Sequence, residues 1–203
     1  MILTDERIRE IAQIIYAKKS HVCLLGPAGL GKSRIAFEVG KLNKKTMSEI
    51  DLQRQVSQIR QACRMEQLSI LERSFRAPHH TVSEQAMVGK TPDPVTAFPH
   101  YGEFSIAHGG ILLLDELPEF RRSIIERLNE ILKDKRVDHW AGNNKVSYPA
   151  DFWLITTMNP CPCGLGVGYP GKPCTCSSDQ VRRYKNRVKL ITNQVEVIDL
   201  RTL

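Results

Sequence analysis

Gly26-Pro27-Ala28-Gly29-Leu30-Gly31-Lys32-Ser33 follows an apolar run, His21 to Leu25, and leads into Ser33 to Val39, whose apolar residues recur with helical spacing. That order of strand, glycine-rich loop and helix decides the fold. The eight residues satisfy G-x-x-x-x-G-K-[ST] at every fixed position. The glycines let successive backbone N–H groups curl around phosphate oxygens without a side chain intruding, and the helix N-terminus adds partial positive charge. Lys32 is placed to reach the outer phosphates of a nucleoside triphosphate, and the Ser33 hydroxyl to ligate Mg²⁺. The segment 26–33 is therefore read as the nucleotide cradle.

A triphosphate site built this way needs a second strand that ends in an acid. Ile111-Leu112-Leu113-Leu114-Asp115-Glu116 supplies it: four aliphatics in a row suit a strand buried on both faces. Asp115 is placed to support the magnesium and Glu116 to polarise an attacking water. A third apolar run, Phe152 to Thr157, closes on Met158 and Asn159.

Helices are expected between these strands. Ile8, Ile11, Ala12 and Ile15 form one stripe from Thr4 to about Lys18, with Thr4 or Asp5 as cap. Ser48 and Asp51 resemble a capping box ahead of a further helix. Pro118 is expected to open a helix whose buried stripe is Phe120, Ile124, Leu128, Ile131 and Leu132. A basic helix is expected from about Ser178 to Lys189, and a last strand over Val195 to Leu200. The stretch from Ser74 to Gly110, rich in Pro, Gly and His, reads as loops and short strands with hairpins among them. Alternating strands and helices predict a single α/β domain over residues 1–203, a three-layer αβα sandwich around a mainly parallel sheet.

Composition sets the outer limits. The chain has 203 residues and 23.0 kDa, with 41% hydrophobic and 25% charged residues, which is globular rather than disordered usage. The longest aliphatic run, Ile111 to Leu114, falls far short of the roughly 20 residues of a membrane helix. The first residues run quickly into Thr4, Asp5, Glu6 and Arg7, with no basic region followed by an apolar secretory stretch, so the expectation is a cytoplasmic protein with no membrane partner. Net charge is +7. Six cations (Lys172, Arg182, Arg183, Lys185, Arg187, Lys189) face one anion, Asp179, between Gly171 and Leu190. Of these, Arg182, Arg183, Lys185 and Arg187 are the candidates for contact with a DNA phosphate backbone; a solvated basic helix face is the alternative.

Six cysteines divide into isolated Cys23 and Cys63 and two C-x-C pairs, Cys161/Cys163 and Cys174/Cys176, ten residues apart. Without a secretory signal, such pairs suit a metal better than disulfides. Four thiolates at 161, 163, 174 and 176 would close a structural tetrahedral Zn²⁺ site in a loop over residues 161–176; four reduced surface thiols are the alternative. Adjacent His79 and His80 point to loop hydrogen bonds rather than a shared metal. Arg76 suits a local salt bridge as well as an intermolecular contact. Trp140 and Trp153 suit core or hairpin packing.

Longer strings narrow the reading: Phe75-Arg76-Ala77-Pro78-His79-His80-Thr81, Gly102 to Gly110, Leu114-Asp115-Glu116-Leu117-Pro118-Glu119-Phe120, and Met158-Asn159-Pro160-Cys161-Pro162-Cys163-Gly164. Together with the two site motifs these resemble the AAA+ ATPase module of ComM/YifB-type proteins, relatives of the magnesium-chelatase motor subunit. The resemblance spans roughly residues 5–187. It implies a P-loop NTPase core in which Lys32, Asp115 and Glu116 act on ATP and Asn159 is the sensor asparagine that orients water. It further implies a ring, hexameric by expectation, and for the ComM branch a DNA translocase active in branch migration on single-stranded or branched DNA.

Two departures accompany the resemblance. The family carries an amino-terminal Lon-protease-like domain and a carboxyl-terminal helical lid, and neither is expected within these 203 residues. The family also reads S-G-P-L-L-D-R-I-D-L after the basic helix, whereas here Val197 stands in place of the arginine that would act as a trans finger. Arg187 and Arg201 are the nearest substitutes. A degenerate, non-hydrolysing ATP-binding regulatory subunit is therefore a second reading. A chelatase-type motor is a third.

Overall fold

The computed structural model describes residues 3–46, 75–91, 100–141, 143–166 and 173–202. Helix α1, Asp5–Lys18, is capped by Thr4, whose hydroxyl accepts from the Arg7 backbone N–H at 3.3 Å. Strand β1, Val22–Leu25, passes through the loop at 26–31 into helix α2, Lys32–Thr46. After β2, Phe75–Arg76, come helix α3, Glu84–Val88, strands β3, Gly89–Lys90, and β4, His100–Tyr101, and helix α4, Glu103–Ile106. Strand β5, Ile111–Leu114, precedes helix α5, Arg122–Asp134. Strands β6, Arg136–Ala141, β7, Asn144–Pro149, and β8, Trp153–Met158, lead to helix α6, Ser178–Thr192, and strand β9, Glu196–Asp199. The expected Ser48/Asp51 capping box and Cys63 lie outside the described residues.

Five strands form one sheet in the order β2-β5-β8-β1-β9, and every pairing in it is parallel. Parallel strands need crossovers that cover both faces, so their side chains are buried on both sides. The period of two then sorts them. Cys23, Leu112, Leu114 and Leu154 face one way, onto Ile124, Leu128 and Ile131 of α5 and Val188 and Ile191 of α6. Val22, Leu24, Ile111, Leu113 and Ile155 face the other, onto Ile8, Ile11 and Ile15 of α1 and Ile35 and Val39 of α2. The architecture is the three-layer αβα sandwich with a parallel central sheet that the sequence predicts.

The crossover leaving β1 runs toward the β2 edge, while the one leaving β8 passes over β1 to β9. Such a reversal opens a crevice at the carboxyl ends of the central strands. Register brings those ends together: Leu25 pairs with Met158, and Leu114 with Thr156.

Three expectations need correction. Pro118 does not open the helix after β5. It sits in a 3₁₀ turn, Leu117–Glu119, and α5 begins at Arg122. Leu117 and Phe120 are both fully buried, and anchoring them beneath the sheet draws Phe120 into an extended conformation that breaks the helix. Phe120 therefore belongs to the core but not to the helical stripe. Strands β6 and β7, with no assignment from sequence, pair as an antiparallel hairpin, from Arg136 opposite Pro149 to Ala141 opposite Asn144. Trp140 lies on that hairpin 65% exposed rather than packed. Trp153 does pack, against Tyr16 at 6.0 Å between centroids, and its indole N–H donates to the Ser20 carbonyl. Among the described residues no helix is long and apolar enough to cross a membrane.

His21 ties β1 to β8 at the opposite end of the sheet. Its Nδ1 accepts from the Leu154 backbone N–H at 3.0 Å, so the ring is held neutral. Burial pushes its pKa below the usual 6.5; Asp151 opposes this and Lys135 adds to it. A folded pKa below the unfolded one gives stability that is complete above the unfolded value and lost as pH falls through the folded one. Melting temperature should thus fall as pH drops below the usual histidine value of 6.5, and the slope should be shallower in His21→Asn.

Candidate functional site

The crevice gathers residues from four segments. The loop 26–31 turns tightly after β1, with Gly29 and Gly31 at φ of 77° and 106°, in the left-handed region where a Cβ would be strained. Lys32, at the first position of α2, is buried at 7% exposure. Its Nζ donates to the carbonyls of Gly26 at 2.8 Å and Pro27 at 2.7 Å and to Asn159 Oδ1 at 3.0 Å. Burial lowers its pKa, against the pull of the Asp115 and Glu116 carboxylates.

Ser33 Oγ lies 2.9 Å from both Asp115 carboxylate oxygens. A hydroxyl and a carboxylate held against each other beside a lysine ammonium form an oxygen donor set of the kind Mg²⁺ takes together with a phosphate. Glu116 is exposed and adopts φ 56° and ψ 54°, a left-handed conformation that is uncommon for a residue with a side chain. That conformation starts the turn after β5 and leaves the carboxylate in the crevice mouth. A second hollow of about 180 Å³ beside it is lined by Phe37, Ala77, Pro78, His79, His80, Leu113, Asp115 and Glu116.

Thr157 is a residue that motif reading misses. Fully buried on β8, it donates its hydroxyl to Asp115 Oδ1 at 2.6 Å and accepts the Glu116 backbone N–H at 2.9 Å. One side chain thus orients both acids from the neighbouring strand. The available signal was the polar Thr156-Thr157 pair at the end of an apolar run.

The four DNA candidates on α6 do not share one face. Arg183 and Arg187 line a groove with Arg122, Ile125, Glu126, Asn186 and Leu190 between α5 and α6. Arg187 also donates to the Phe120 carbonyl at 2.9 Å. Arg182 pairs with Asp179 at 2.8 Å, and the positive charge of Lys185 acts on Asp199 at the end of β9. Arg76 forks onto Glu103 through two 2.7 Å bonds, the local salt bridge among the sequence alternatives. His79 Nδ1 lies 3.0 Å from Thr81 Oγ1, and its ring lies tilted against that of His80, 4.1 Å between centroids. Val197 stands on the edge strand β9, 43% exposed.

The two C-x-C pairs converge in space. The Leu165 backbone N–H, followed by the Cys161 thiol, holds Cys163 down to about 6. Cys23, by contrast, is pushed up to about 11 by burial.

Comparison with known proteins agrees with this geometry. The family model described as magnesium chelatase, subunit ChlI, matches residues 1–202. The chain belongs to that family. It is 34% identical over 187 residues to the uncharacterized protein YifB of Escherichia coli, covering 92% of this chain and 35% of the relative. It is 33% identical over 189 residues to the competence protein ComM of Haemophilus influenzae, with the same coverage. An uncharacterized Mycobacterium tuberculosis protein is 30% identical over 203 residues. The chain spans little more than a third of the length of these relatives. Among solved structures, NtrX of Brucella abortus in complex with ATP superposes with a TM-score of 0.53 at 16% identity, covering 98% of this chain and 38% of NtrX. The ADP complex gives 0.53 at 17%. The fold of this family member is that of an AAA+ ATPase core.

Removing the Thr157 hydroxyl takes the acceptor from the Glu116 N–H and leaves Asp115 Oδ1 with Ser33 Oγ alone of the two hydroxyls. Thr157→Val should cost about 1–3 kcal/mol in urea unfolding, and Thr157→Ser should recover most of it.

Proposed function

We propose that this chain is the ATP-binding core of a ring-forming, ComM-like DNA motor, hydrolysing ATP to ADP and phosphate. The observation that carries the nucleotide part is the meeting of Lys32, Ser33, Asp115 and Asn159 at the carboxyl ends of β1, β5 and β8. The Lys32 ammonium exchanges its Gly26 and Pro27 carbonyl partners for phosphate oxygens, which offsets its burial. The backbone N–H groups of Gly29, Gly31, Lys32 and Ser33 line the phosphates. Ser33 and Asp115 hold Mg²⁺, which when bound supplies positive charge against the phosphate oxygens. Glu116 accepts the proton of the attacking water, and Asn159, already bonded to Lys32, orients that water.

The DNA part rests on the +7 charge and on the cations of α6. Arg122, Arg183 and Arg187 border one groove and form the strongest candidate for a phosphate backbone. Ring assembly, hexameric by family resemblance, would complete each site from a neighbouring copy.

A second reading, a nucleotide-gated regulatory subunit without hydrolysis, is favoured by Val197 and by the engagement of both substitute arginines. Arg201 is paired with Asp199 at 2.6 Å, and Arg187 with the Phe120 carbonyl. A missing finger costs about 10³ to 10⁵ in rate.

Mg²⁺-dependent ATP hydrolysis with and without single-stranded DNA separates the two. The motor reading predicts DNA-stimulated turnover that falls at least about a hundredfold in Lys32→Ala. ATP binding without turnover, lost in Lys32→Ala, would replace it with the regulatory reading.

A further inference from the structure

The Sγ atoms of Cys161, Cys163, Cys174 and Cys176 all lie within 4.8 Å of one another. Cys161 is 3.2 Å from Cys163 and 3.6 Å from Cys174, and Cys163 is 3.6 Å from Cys174. Four thiolates around a tetrahedral zinc at about 2.3 Å sit about 3.8 Å apart. A single soft ion fits this span, whereas an iron–sulfur cluster spreads its thiolates over separate irons.

We propose that these four cysteines hold one structural Zn²⁺ and that the ion braces the phosphate loop. The local backbone is shaped for it. Gly164 and Gly166 take φ of 83° and 77°, and the turn they make lets the Gly166 N–H donate to Cys161 Sγ at 3.2 Å. An N–H aimed at a ligand sulfur stabilises its thiolate. Cys161 is 1% exposed, a place where a lone thiolate is costly and a cation offsets the cost. With every ligand position filled by sulfur, the ion leaves no site for water and is structural.

The bracing follows from what the quartet touches. The Gly164 carbonyl, one residue beyond Cys163, accepts the backbone N–H of Ala28 in the phosphate loop at 3.1 Å. The contact is close: a Cβ on Gly164 would stand 3.3 Å from the Ala28 Cβ and 3.9 Å from Asn159 Nδ2. Cys161 lies two residues after Asn159, the acceptor for Lys32. On the other side, Cys176 immediately precedes Ser177, whose capping box starts α6. One ion thus links the end of β8, the start of α6 and the loop at 26–31. Its effect on nucleotide affinity rests on the function proposed above; its effect on the loop does not.

The test uses the full chain purified without chelators. Elemental analysis should give one zinc per chain, lost in the Cys163→Ser/Cys176→Ser double variant. Cobalt in its place should give thiolate charge-transfer and tetrahedral d–d bands. Stripping zinc from the wild type, with circular dichroism confirming the helices remain, should deprotect the Ala28 amide, bonded to the Gly164 carbonyl, to hydrogen exchange. It should also weaken a fluorescent ATP analogue about fivefold or more, both restored by zinc. Background metal in folded protein, whether its thiols are free or in disulfides, overturns the site. Stoichiometric zinc whose removal leaves loop exchange unchanged overturns the brace. Zinc-dependent loop protection without nucleotide binding under any condition supports the brace and contradicts the ATP reading alone.

Discussion

A lysine ammonium withdrawn from water at the end of a parallel sheet sets the terms for the rest of the molecule. Lys32 is 7% exposed, and its charge survives there because two loop carbonyls and Asn159 Oδ1 accept its protons while Asp115 and Glu116 bias it toward the charged form. Those groups come from three strands. They meet because β1, β5 and β8 are adjacent, parallel and in register at their carboxyl ends. The two apolar faces of the sheet, each sealed by a pair of helices, hold that register. A one-residue slip of β5 would exchange Leu112 and Leu114 with Ile111 and Leu113 and move Asp115 away from Ser33.

The same level of the sheet carries the cysteine loop, so the site has support from outside the sandwich. The Ala28 N–H is spent on the Gly164 carbonyl rather than left for solvent. The Glu116 backbone is held in its left-handed turn by the Thr157 hydroxyl. The catalytic arrangement proposed for Asp115 and Glu116 thus depends on β8 as much as on β5, which bears them.

What was legible in the sequence was what short-range chemistry dictates. The strand, glycine loop and helix over residues 22–46, the aliphatic run before Asp115 and the stripe of α1 each name their local structure, and these elements form as expected. The α5 start departs from the sequence expectation because proline compatibility with a first helical turn is a local rule, overridden by burial of Leu117 and Phe120. The sequence signal for the β6–β7 hairpin is the alternation of Val137/His139 and Val146/Tyr148 about Gly142-Asn143. Thr157 could not be assigned from a motif, because its role depends on which strand lies beside β5. The cations of α6 were grouped by their closeness in sequence, but helical geometry divides Arg183 and Arg187 from Arg182 and Lys185.

Nucleotide binding as proposed requires that Lys32, Ser33, Asp115 and Asn159 form one triphosphate site. Calorimetric titration of a non-hydrolysable ATP analogue, with and without Mg²⁺, into the wild type and Ser33→Ala tests it most directly. The account predicts saturable binding that Mg²⁺ strengthens in the wild type, with that strengthening lost in Ser33→Ala. Binding indifferent to Mg²⁺ and to the serine hydroxyl would contradict it.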